Sequence, residues 1–80
     1  MTSAPATAKT LQAKLELLRD HMREQVGAAV LQGQLTQTHL EIPDDNAMTY
    51  AFRLMVHHVK EAAKTANEII VAEAGDGQSG

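Results

Sequence analysis

The chain has no cysteine and no tryptophan, and only one Phe, one Tyr and two Pro in 80 residues. Each shortage removes something. Without cysteine there is no disulfide and no thiolate metal site, so two common staples of small domains are missing. With almost no aromatics, the large buried areas that usually anchor a small core are missing too. The longest unbroken apolar run, Ile69-Ile70-Val71-Ala72, is far too short to cross a bilayer. The amino terminus, Met1-Thr2-Ser3-Ala4-Pro5, has no apolar run of the kind a secretory signal needs. There is no basic surplus: the formal net charge is -3. Proteins that grip phosphates usually carry one, so nucleic acid is a poor default partner. A cytoplasmic protein is expected, with no membrane contact.

What remains is Ala, Leu, Val, Met and Ile, a palette suited to helices packed on helices. One domain at most fits in this length. Oligomerisation is the staple still open to it, and it is expected here.

The stretch Met48–Ile70 organises the chain. Met48, Phe52, Met55, Val59, Ala62, Ala66 and Ile69 follow one another in alternate steps of four and three. That is the spacing of a helix with a partner along one face. Val56, Ala63 and Ile70 run beside this stripe and widen it to bundle breadth. Asp44, Asp45 and Asn46 precede it and are good N-caps whose charge suits the positive end of a helix. Asp44, Asp45 and Asn46 could also be read as metal oxygens, but the glycine and distal Glu of a calcium loop are absent. This second helix is expected over about 45–74, with Gly75 as its stop and 75–80 as a disordered tail.

An earlier helix is expected over about 8–34, after a flexible arm of residues 1–7. Leu11, Leu15, Leu18, Met22, Val26 and Ala29 form its stripe, with Gly33 next in line. Glu16 with Arg19, and Asp20 with Arg23, can pair on its wet side. A weaker stripe of Leu17, Ala28, Leu31 and Leu35 points elsewhere. The helix is expected to end between Gln32 and Thr36, with Gly33 a candidate cap. Gly27 sits mid-helix at a cost of about 1 kcal/mol relative to Ala, and marks a bend or a close contact. Residues 35–44 are expected to be a linker in which Leu40 and Ile42 plug the bundle end. The alternation of Thr36, Thr38, Leu40 and Ile42 also fits a short edge strand.

The fold class expected is all-α: an antiparallel two-helix hairpin. One companion helix cannot cover the broad stripe of the second helix. Two hairpins about a twofold axis can, giving a four-helix bundle. Its core and dimer interface would take Leu11, Leu15, Leu18, Met22 and Val26 from the first helix. The second helix would supply Met48, Phe52, Met55, Val56, Val59, Ala62, Ala63, Ala66, Ile69 and Ile70.

Chemistry finds little footing. His57 and His58 point about 100 degrees apart on a helix and cannot share one ion within a chain. The di-iron pattern of helical bundles needs Glu three residues before His, and position 54 is Leu54. Ser3 and Ser79 lie near the ends with no base beside them. No glycine-rich phosphate loop is present. No catalytic residues, metal site or cofactor are expected, and the chain is not read as an enzyme.

Partner binding is the better class. Tyr50, Leu54 and His57 fall on the outer face of the second helix, and Leu31 and Leu35 are spare on the first. Together they are the expected docking patch for another protein. The functional reading is a small helical protein-interaction factor: an adaptor, an assembly or secretion co-chaperone, or an inhibitor that docks on a larger protein. The alternatives are a nucleic-acid-binding regulator and a self-assembling helical structural subunit. A regulator would use Lys60 and Lys64, or Lys14 and Arg23.

Overall fold

The computed structural model describes the backbone of residues 3–42 and 44–79, and the side chains of residues 10–42 and 44–75. It contains two helices, α1 (Ser3–Glu41) and α2 (Asp45–Ser79), which pack against each other as a hairpin. The chain is a rod of 64 × 17 × 12 Å with a radius of gyration of 18.2 Å. A compact domain of this length would have a radius near 12 Å. Neither helix is long and apolar enough to cross a membrane.

Both helices outrun the bounds read from the sequence. The stretch 35–41 is helical, so the expected linker of 35–44 shrinks to residues 42–44, and no strand forms there. Thr36 and Thr38 satisfy their hydroxyls within this helix. Thr36 Oγ1 donates to the Gln32 carbonyl at 2.8 Å, and Thr38 Oγ1 to the Gln34 carbonyl at 3.1 Å. These are local bonds that a helix accommodates. Thr36 is also buried against α2. Leu40 and Ile42 are exposed and plug nothing.

Gly33 and Gly75 do not cap helices. No glycine among the described residues has positive φ, the left-handed conformation such a cap requires. Residues 75–79, read as a tail, continue α2. At the other end the helix begins at Ser3, inside the expected arm. Pro5 falls in the first turn, where its missing N–H costs nothing. Met1, Thr2, Pro43 and Gly80 lie outside the described residues.

The turn is tied at both sides. Ile42 N–H donates to the Thr38 carbonyl at 3.0 Å, and Asp44 N–H to the His39 carbonyl at 3.4 Å. Asp44 then caps α2: its Oδ1 accepts from the Ala47 N–H at 3.1 Å, and its carbonyl accepts from the Met48 N–H at 2.9 Å.

The seam between the helices is thin. Its buried residues are Ala29, Ala51 and Ala62, with Thr36 and Thr65. No larger side chain among the described residues is fully enclosed. On α1 the seam runs through Leu11, Leu15, Leu18, Met22, Gln25, Ala29, Gln32, Thr36 and His39, all buried or half-buried and stepping by four and three. On α2 it runs through Met48, Ala51, Met55, His58, Ala62, Thr65, Ile69 and Ala72.

Candidate interaction surfaces

The α2 seam shares only every second position with the stripe read from the sequence. Met48, Met55, Ala62 and Ile69 face α1 as expected, but Ala51, His58 and Thr65 stand where Phe52, Val59 and Ala66 were expected. On α1, Gln25 likewise replaces Val26. Small and polar residues let the two backbones approach, and the bulkier apolar ones turn out to one side. At Gly33 the Met55 side chain packs close: a Cβ there would sit 3.3 Å from Met55 Sδ. Gly27 has open space around it and makes no close contact.

Links between side chains of the two helices fix the register among the described residues. Thr65 Oγ1, on a residue 3% exposed, donates to Gln25 Oε1 at 2.7 Å. Its hydroxyl also lies 3.2 Å from the Glu61 carbonyl oxygen. Nearer the chain ends, Arg19 meets Glu73 at 3.5 Å, with both side chains about half exposed. Other ion pairs among the described residues are local: Arg23 with Asp20, and Lys64 with Glu61 at 3.4 Å.

One face of the hairpin is apolar. Val26, Ala29, Val30 and Gly33 of α1 and Met55, Val59 and Ala62 of α2 line an open groove. Beside it Phe52, Ala63 and Ile70 are exposed, and Val56 and Ala66 half-buried. Val59 is 52% exposed and Ile70 63%. The broad flank of α2 is therefore left open by α1, as its width in the sequence required.

The opposite flank holds the other candidate set. At 100 degrees per residue, Tyr50 and Leu54 of α2 and Leu31 and Leu35 of α1 fall on the side of the seam away from the groove. His57 lies further round, on the outer surface of α2. Tyr50 is 68% exposed; Leu31, Leu35 and His57 are exposed as well, while Leu54 is half-buried beside the seam. Leu17 is exposed farther along α1.

Among the described residues no three His, Asp or Glu side chains gather as a metal set. The rings of His57 and His58 meet edge to face with centroids 5.5 Å apart, one exposed and the other half-buried. Comparison with protein-family models, curated proteins and solved structures finds no match to this chain.

The seam residues that sequence reading missed are Gln25, Gln32, Thr36 and His39 on α1 and Ala51, His58, Thr65 and Ala72 on α2. Their signal was present, since they keep the same four-and-three spacing as the apolar set. Ranking positions by hydrophobicity hid them.

Proposed function

We propose that this chain is a small helical protein-interaction factor, an adaptor, assembly co-chaperone or inhibitor that acts by docking on a larger protein. It acts as a homodimer in which two hairpins close into a four-helix bundle. One observation carries the reading: among the described residues the seam buries only Ala29, Ala51, Ala62, Thr36 and Thr65, its leucines and Ile69 are half-buried, and Val26, Val30, Tyr50, Phe52, Val59 and Ile70 are exposed. A single hairpin with so little enclosed apolar surface has a small folding free energy. Covering the exposed side chains supplies what the seam does not.

The two flanks divide the work. The groove flank is apolar along α2 and at Val26 and Val30 of α1, with Arg19, Arg23 and Gln37 at its ends, an apolar centre with polar margins as an interface tends to have. The flank with Tyr50, Leu54, Leu31 and Leu35, and His57 at its outer edge, mixes an aromatic, aliphatics and an imidazole, a composition suited to docking another protein. A net charge of -3 argues against phosphate contacts as the source of affinity.

The test is recovery of a bound protein from the source cell by the tagged chain, with Tyr50→Ala and Leu54→Ala in parallel. One specific protein should be retained by the wild type and lost by both variants. Equal recovery by all three would overturn the docking patch. The mass of the purified chain by light scattering, expected at two chains, tests the homodimer separately.

A further inference from the structure

We propose that a second copy of this chain covers the groove face in an antiparallel arrangement, with the two α2 helices paired through Phe52, Val56, Val59, Ala63, Ala66 and Ile70. This rests on the homodimer reading above and specifies which face pairs, in which direction and in which register.

These six residues form a second heptad stripe, stepping by four and three alongside the seam. The stripe is palindromic about Glu61. Phe52 and Ile70 lie nine residues to either side, Val56 and Ala66 five, Val59 and Ala63 two. A twofold axis crossing α2 level with Glu61 therefore brings each onto its counterpart in the second copy. Phe52 meets Ile70, Val56 meets Ala66 and Val59 meets Ala63. Every layer sets a larger side chain against a smaller one, which is how facing positions fill space without voids or overlap.

The helix α1 repeats the pattern with the same offsets. Arg19, Arg23, Val26, Val30, Gly33 and Gln37 lie along its groove flank. Val26 and Val30 lie two residues either side of Ala28, Arg23 and Gly33 five, Arg19 and Gln37 nine. Under the same axis the two valines pair, Arg23 finds room over Gly33, and Arg19 meets the amide of Gln37.

The two centres coincide. Gln25 is level with Thr65, through their hydrogen bond, and Gly33 is level with Met55. Interpolating between these contacts sets Glu61 level with Ala28. One axis thus serves both helices, although nothing in either stripe alone requires it. The other twofold that joins these faces runs along the bundle. It would lay α2 on α1 of the second copy, with Phe52 beside Gln34 and Gln37 and Ile70 beside Arg19 and Arg23. That sets apolar ends on polar ones.

The area is sufficient. The chain exposes 6046 Å². A compact monomer of its mass would expose about 4,700 Å². The surplus is larger than the roughly 800 Å² that each partner contributes to a stable interface.

The absence of cysteine gives a clean test on the full chain. Spin labels are placed one at a time at Arg53→Cys, Lys60→Cys and Asn67→Cys, all exposed along the outer edge of the stripe. At about 1.5 Å per residue, the antiparallel pair separates the two labels along the axis by about 3 Å at position 60, about 18 Å at 67 and about 24 Å at 53. Dipolar distances should rise in that order. Equal distances at all three positions in a chain of dimeric mass would overturn the antiparallel pairing and leave the homodimer standing. A monomeric mass would remove both. As a second measurement, Val59→Asn should weaken self-association at least tenfold by sedimentation, and unchanged association would sink the stripe. Tyr50→Ala, on the other flank, should leave both mass and distances unchanged.

Discussion

Thr65 and Gln25 hydrogen-bond across the seam at 2.7 Å, linking side chains 40 positions apart in the chain. Around them the seam is mostly alanine, leucine and methionine, with Gln32, Thr36, His39 and His58 as its other polar positions. This polar contact favours the observed register, because slippage would separate the Thr65 hydroxyl from the Gln25 amide. A double-mutant cycle of Thr65→Val and Gln25→Leu is expected to give a coupling of about 1 kcal/mol by chemical denaturation. Additivity within a few tenths of that would mean the bond contributes nothing to stability.

Asp44 carries the start of α2. Its carboxylate accepts from the Ala47 N–H, which has no carbonyl to bond within the helix. Asp44→Ala is expected to lower stability by about 1 kcal/mol, and Asp44→Asn to retain most of it. A loss of equal size in both variants would show that charge near the helix end, rather than the cap bond, is what counts.

Gly27 is helical and exposed, and an added Cβ there meets nothing within 4 Å. Gly27→Ala should therefore raise stability by about 1 kcal/mol, the full helix-propensity difference. Gly33→Ala should gain less, since its Cβ would crowd the flexible Met55 thioether at 3.3 Å. Comparing the two melting temperatures tests the ranking, and a larger gain at Gly33 would contradict the close packing of Met55 there.

Much of the hairpin is legible in the sequence, for a physical reason. Heptad spacing sets two helices, and Asp44 marks where the second begins. Met48, Met55, Ala62 and Ile69 sit on the seam that their spacing implies. The rotation of the seam toward Ala51, His58 and Thr65 is not legible, because hydrophobicity favours Phe52 and Val59 as core. Close backbone approach favours small residues instead, and it prevails when the only neighbour is one helix. The end of α1 is misread for a related reason. Thr36 and Thr38 look strand-like until their hydroxyls are seen bonded one turn back. Of the candidate docking set, the exposure of Tyr50, Leu31, Leu35 and His57 follows from helical period alone, whereas the half-burial of Leu54 depends on where the seam falls.

Ala62 and Ala63 are adjacent, alike in size and opposite in environment. Ala62 is buried against α1 and lines the floor of the groove with Met55 and Gly33. Ala63 is exposed on the outer stripe. Leucine at position 62 must push the helices apart or take a poor rotamer, so Ala62→Leu is expected to cost about 1–3 kcal/mol. Position 63 is exposed, so leucine there should leave the helix content of a dilute sample unchanged. Where two copies pair, the same leucine confronts Val59 of the second copy, so Ala63→Leu should weaken self-association by sedimentation. The contrast separates the two contacts of α2: one variant strains the hairpin, the other only its pairing. Equal helix loss in both variants would mean that the hairpin seam and the outer stripe are a single cooperative core.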